Sequence, residues 1–252
     1  MKTNHYTDIL KTTAAVFVLL VLIGACSYLP ERKQSIVSTM VDETEDMRPA
    51  PDPAEIIPLF GLDEDKWNGA SFSVRTVTDV SFTRQRTITL PAGGNRLRSN
   101  SFARDREVAA FKDSITALLD SLKTDTTGKP QSSIFLPIAE ELNRLAENKA
   151  QQRILIVFSD LFENTQGGLS FYSKKTLTEL RNNPDKIKAA LLAKLPLKPL
   201  DGILVYIIHE PENAEADELF RLVSGFYKSM LEEQGAKVII AANVPAPSTH
   251  TK

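Results

Sequence analysis

The chain crowds carboxylates and hydroxyls into one short stretch. SIVSTMVDETEDM, residues 35–47, is an apolar run that ends in Asp42-Glu43-Thr44-Glu45-Asp46. Two other stretches carry the same chemistry: QSSI at 131–134, ahead of a helical pattern, and VFSDLFEN at 157–164, where Asp160 closes an aliphatic run. Asp42, Thr44, Asp46, the QSSI serines and Asp160 offer only oxygen donors, and such a set suits a hard cation, Mg²⁺ or Mn²⁺. With three His and one Cys in the chain, no soft-ligand cluster competes for another metal.

The elements around these residues predict how they are positioned. SIVSTMV (35–41) is rich in Ile, Val and Thr and reads as a strand. RPAPDPAEIIPLFGLDEDKW (48–67) carries four prolines, which leave room for a short helix from about Pro53 to Phe60. Alternation through Phe72, Val74, Val77, Val80, Phe82, Ile88 and Leu90 predicts two strands paired as an antiparallel hairpin at a sheet edge. From Asp105 the period changes, and Val108, Phe111, Ile115, Leu118, Leu119 and Leu122 share one helical face. Beyond it the sequence predicts a helix over about 135–148 and a buried strand in RILIVFSD (153–160). One or two helices broken near Pro184 follow, then a strand at 202–208, a helix over 215–235 closed by Gly235, and a last strand at 236–242. Strands alternating with helices in this way define an α/β protein. The expected fold is a doubly wound, mostly parallel central sheet with one antiparallel edge strand and helices on both faces. In such a sheet ligands bind at the carboxyl ends of the strands, beside the point where strand order reverses. All three acid or hydroxyl stretches fall at strand ends or helix starts.

The 252 residues, 42% of them hydrophobic and 25% charged, have ordinary globular composition, and a net charge of −2 gives no reason to expect nucleic acid as a partner. The first 25 residues differ. KTTAAVFVLLVLIGAC has a basic flank and an apolar run from Ala14 to Ile23 that is short for a bilayer span, so it reads as a secretory signal. Its end, LIGAC, resembles the lipobox of bacterial lipoproteins, which implies cleavage before Cys26 and lipid attachment to it. A lone Cys makes no internal disulfide, which leaves the thiol available for that use. The expected layout is a lipoprotein signal peptide (1–25), lipidated Cys26 with a short tether (26–34), one domain (35–243) and a disordered tail (244–252). The tether of about eight residues reaches roughly 26 to 29 Å when extended, so the domain lies close to its membrane. CSYLPERKQ lacks acidic residues directly after the Cys, which favours the periplasmic side over the cell surface.

Over residues 35–243 the order of elements and the three loops resemble a von Willebrand factor type A domain. The metal-ion-dependent adhesion site of that family uses Asp-x-Ser-x-Ser after the first strand, a Thr in a second loop and an Asp after the fourth strand. The resemblance implies that Asp42 matches the leading Asp, Thr44 the first hydroxyl, Ser132 (or its neighbour Ser133) the second-loop Thr, and Asp160 the final Asp. Asp46 stands where the family has its second Ser. In the family an acidic side chain from a protein partner completes the metal shell, and the extra carboxylate of Asp46 would weaken that pull. The implied function is a binding or scaffold module without catalysis and without a small-molecule substrate.

An enzyme is the alternative. An Asp after an apolar strand is also how haloacid-dehalogenase-type phosphatases place their nucleophile beside Mg²⁺, which would make Asp42 the centre of a phosphoryl-transfer hydrolase. That family has a second Asp two residues on, where this chain has Thr44. TGKPQSS lacks the first Gly of a P-loop, and no Gly-x-Ser-x-Gly elbow occurs. His209, where a strand emerges, reads as structural or as a surface residue rather than as catalytic. Seven arginines between residues 75 and 106 form a local basic run, and Arg84, Arg86, Arg96 and Arg98 are candidates for docking an acidic partner or lipid headgroups.

Overall fold

A computed structural model describes residues 32–42, 50–77, 85–94, 99–122, 133–165 and 168–246. Six strands form one sheet: β1 (Gln34–Asp42), β2 (Gly69–Val77), β3 (Gln85–Leu90), β4 (Gln152–Phe158), β5 (Ile203–Ile208) and β6 (Lys237–Ala241). Their order is β3-β2-β1-β4-β5-β6, and every neighbouring pair is parallel except β2 with β3. Eight of the nine residues of β1 are buried, as a central strand covered on both faces requires. β3 is mostly exposed and carries Arg86, the kind of charge that protects an open edge.

The helices are α1 (Pro53–Ile56), continued as a 3₁₀ turn over Ile57–Phe60, α2 (Ser101–Leu122), α3 (Phe135–Ala146), α4 (Lys174–Asn182), α5 (Pro184–Lys194) and α6 (Ala214–Glu232). Their ends follow from local chemistry. Asp52 accepts from the Ala54 N–H at 2.8 Å to start α1, and Gly61, at φ +61°, stops the turn after it. Asn213 caps α6 through the Ala216 N–H at 2.9 Å, and the chain turns beyond α6 at Gly235, at φ +96°. Pro184 lacks an N–H, so α4 and α5 are separate helices. α2 begins at Ser101, earlier than its apolar period suggests, because Asn100 accepts from the Phe102 and Ala103 N–H groups at 2.9 and 3.2 Å. That first turn contributes the exposed Phe102, which apolar periodicity does not register.

Pleat alternation builds two cores. Ile36 and Met40 of β1 with Leu155 and Val157 of β4 face α3 to α6, while Val37, Val41, Ile154 and Ile156 face α1 and α2. The aromatic residues Phe111, Phe158, Phe220 and Tyr227 all lie in these cores. Val244 is also buried, and its N–H donates to Glu55 at 3.0 Å.

Two arginines of the basic run belong to the scaffold rather than to a docking edge. Arg104 is buried and donates to the carbonyls of Lys66, Asn68 and Pro91 at 2.7, 2.7 and 2.9 Å, stitching α2 to the segments beside β2 and β3. Arg75 reaches from β2 to Glu140 of α3 at 2.8 Å. Arg86 is exposed and donates to Ser121 at 3.3 Å. Arg84, Arg96 and Arg98 lie outside the described residues.

The strand order fixes what matters for a site. From β1 the sheet grows one way through β2 and β3 and the other way through β4, β5 and β6, so the order reverses between β1 and β4. Asp42 ends β1, and Asp160 follows β4 by two residues.

Candidate functional site

Val41 pairs with Phe158, and this register sets Asp42 beside Ser159 at the carboxyl edge of the sheet. Asp42 is buried, and its Oδ2 accepts from Ser159 Oγ at 2.9 Å. Ser159 Oγ accepts in turn from the Leu161 N–H at 2.9 Å, and Asp160 Oδ1 from the Phe162 N–H at 2.7 Å. These short turns fold the chain after β4 back on itself and put Leu161 at φ +65°, a left-handed conformation that few branched side chains adopt.

Burial pushes the Asp160 carboxyl up to about 7, and the charge of Asp42 adds to the rise against hydrogen bonds from the Phe162 N–H and from Tyr172. Two carboxylates thus meet where the sheet order reverses, partly desolvated and repelling each other. A divalent cation between them would neutralise that repulsion and complete its shell with water and hydroxyls. The donor set is all oxygen, and in this respect the described residues fit a hard cation. Among the described residues no three His, Cys, Asp or Glu side chains gather, so further ligands would have to come from hydroxyls or from residues 43–49 and 123–132. Thr44, Asp46 and Ser132 lie in those segments, outside the described residues, as does Cys26.

Ser133, the alternative second-loop hydroxyl, is buried and turns to Glu163 Oε1 at 3.4 Å. Glu163 is a residue that reading the sequence misses. It is fully buried, it accepts from the Ile134 and Phe135 N–H groups at 2.8 and 3.0 Å, and Lys194 lies 3.3 Å from its Oε1. Since α3 has no side-chain cap of its own, a carboxylate from the loop after β4 supplies it. A search for caps inspects the residues just before a helix, and this cap comes from 29 residues downstream. The available signal was an acid set behind Leu161 and Phe162, an apolar context in which a carboxylate needs a partner.

His209, at the end of β5, is buried with its ring 4.6 Å from that of Phe220, and burial holds its pKa below the usual histidine range despite Glu212. Its place is a packed one.

No family model matches this chain, and a search of curated proteins returns no match. Fold and site define an open α/β sheet with an acid pair at its switch point, and the functional reading rests on that geometry.

Proposed function

We propose that this chain is a membrane-anchored, extracytoplasmic binding or scaffold lipoprotein, and that a divalent-cation site at the β1–β4 switch point mediates its grip on a protein partner. The observation that carries the reading is the meeting of Asp42 and Asp160, from strands 118 residues apart in sequence (160 − 42), at the one place where an open α/β sheet offers a ligand crevice. The strand order with its single antiparallel edge, and the placing of both acids, are in keeping with the resemblance to the type A domain. Asp42 and Asp160 would hold Mg²⁺ or Mn²⁺, with Thr44, Asp46 and Ser132 as the remaining candidate ligands. The cation would supply a positive centre for an acidic side chain of the partner, a pull that the Asp46 carboxylate, as a ligand, would weaken. Lipid on Cys26 would keep the domain near its membrane, with the periplasmic side favoured.

The test is the thermal midpoint of a fragment beginning at residue 27, measured with and without Mg²⁺ or Mn²⁺. At a concentration 100 times Kd a bound cation adds about 2.7 kcal/mol of stability, which for a domain of this size raises the midpoint by about 5–10 °C. Asp42→Ala should abolish the rise, and no shift in the unaltered fragment would refute the site. Turnover of a generic phosphoester with Mg²⁺, lost in Asp42→Ala, would instead favour the phosphoryl-transfer alternative.

A further inference from the structure

We propose that Glu163 is a positioning residue for the cation site: by fastening the chain after Asp160 to the start of α3, it holds the Asp160 carboxylate opposite Asp42. This inference rests on the reading of Asp42 and Asp160 as cation ligands.

The segment from Ser159 to Glu163 is tied down at both ends. At its start Ser159 Oγ bridges Asp42 and the Leu161 N–H, each at 2.9 Å. At its end the Glu163 side chain takes the Ile134 and Phe135 N–H groups at 2.8 and 3.0 Å, and the Glu163 carbonyl accepts from the Phe171 N–H at 2.9 Å. Between the two anchors Leu161 sits at φ +65° with its side chain fully buried. A left-handed backbone disfavours an L-residue and persists only where the surroundings over-determine it. Removal of one anchor lets that backbone relax, and the residue that turns with it is Asp160, its immediate neighbour.

A fully buried carboxylate needs compensation, and three elements supply it: the N–H groups at the start of α3, the Ser133 hydroxyl and Lys194 at the end of α5. Tyr227 of α6 is fully buried with its hydroxyl unpartnered, and it lies in the field of both Glu163 and Asp160. The charges of the two carboxylates thus reach the same buried hydroxyl. A cap supplied by neighbouring residues would stabilise α3 without reference to the site, whereas this one couples the helix to the loop that bears Asp160.

The experiment is Mn²⁺ binding to the full chain in detergent, followed by the free-ion electron paramagnetic resonance signal and by calorimetry. Glu163→Gln keeps one acceptor for the helix and loses the charge. Mn²⁺ affinity is expected to fall about 10- to 100-fold, the usual effect of removing a group that orients a metal ligand, with the far-UV circular dichroism unchanged. Asn213→Ala, which removes the cap of α6, serves as the stability control and should lower the midpoint without moving the affinity. Should Glu163→Gln fail to fold, Lys194→Met leaves the helix cap in place and withdraws the charge beside Glu163; its affinity should fall in the same direction and by less than the Glu163 substitution is expected to cost. Unaltered affinity in whichever Glu163 or Lys194 variant folds, beside a wild type that binds Mn²⁺, overturns the positioning role and leaves the cation site standing. A wild type that binds no Mn²⁺ overturns both.

Discussion

Asp160 sets the pH behaviour of the site. Its carboxyl is pushed up to about 7, first by burial and then by Asp42, so between pH ~4 and ~7 the folded chain binds a proton that the unfolded chain has released. The stability this proton contributes is fully present below the unfolded value near 4 and is lost as pH rises through about 7. Without metal, Asp160→Asn should therefore melt higher than wild type at pH 8 and flatten the pH dependence of the midpoint above pH 5. A cation competes with that proton, so Mg²⁺ should raise the wild-type midpoint more at pH 8 than at pH 5.5. Equal shifts at both values would mean that Asp160 is not a ligand. Leu161 tests a competition of magnitudes. Leu161→Gly relieves a left-handed penalty of about 1–2 kcal/mol but removes a buried side chain whose loss costs about 2–5 kcal/mol, so urea unfolding should show net destabilisation. Asp42 and Asp160 were legible in the sequence because each follows an apolar strand. Glu163 was not, since its meaning depends on a helix start that only the fold brings near.

Two polar groups inside the scaffold decide how the elements stay in register. Arg104 of α2 satisfies three carbonyls from the segments beside β2 and β3, and Arg104→Ala leaves them without a donor. The expected loss is about 3 kcal/mol, and Arg104→Lys should recover little of it because one ammonium cannot reproduce the planar fork. Glu141 of α3 sits against the middle of the sheet, where it accepts from the Ser38 hydroxyl of β1 and, at 2.9 and 2.5 Å, from Nε and Nη2 of Arg144. Burial alone would raise its pKa, but the hydrogen bonds from Arg144 and Ser38 and the charges of Arg144 and Arg75 hold it below the usual glutamate range. A depressed carboxylate contributes stability above its unfolded value, about 4.5, and that contribution is lost as pH falls through the folded value. Glu141→Gln should thus lower the midpoint at pH 7 and shrink the further loss that wild type suffers below pH 4.5, as read from acid titration of the far-UV signal. The sequence shows these groups only as charges in a strand or helix pattern. Seven arginines look alike between residues 75 and 106, yet Arg104 is buried and Arg75 bridges two elements, and only packing distinguishes them from an exposed Arg86.

At the scale of the molecule the two cores share their strands. Alternate residues of β1 and β4 point to opposite faces, so Met40 belongs to the core under α3 to α6, and Val41, its neighbour, to the core under α1 and α2. A backbone that supports both faces cannot lose one without exposing the apolar residues of the other, which argues for a single cooperative transition of the described residues from Lys33 onward. This architecture was readable from the alternation of strands with helical periods, because burial on both faces leaves long apolar runs such as ILIVF in β4. Trp67, the one tryptophan, reports on the second face, where it lines a cavity with Leu62 and Val108. Met40→Ala, which empties a fully buried site on the first face, should lower stability by about 2–5 kcal/mol. Trp67 fluorescence should follow the far-UV circular dichroism to the same reduced midpoint, although the substitution lies on the opposite side of the sheet. A Trp67 transition that stays at its wild-type temperature would mean that the faces unfold independently. The strand ends, and Asp42 and Asp160 with them, would then be held by one layer of helices rather than by the whole fold.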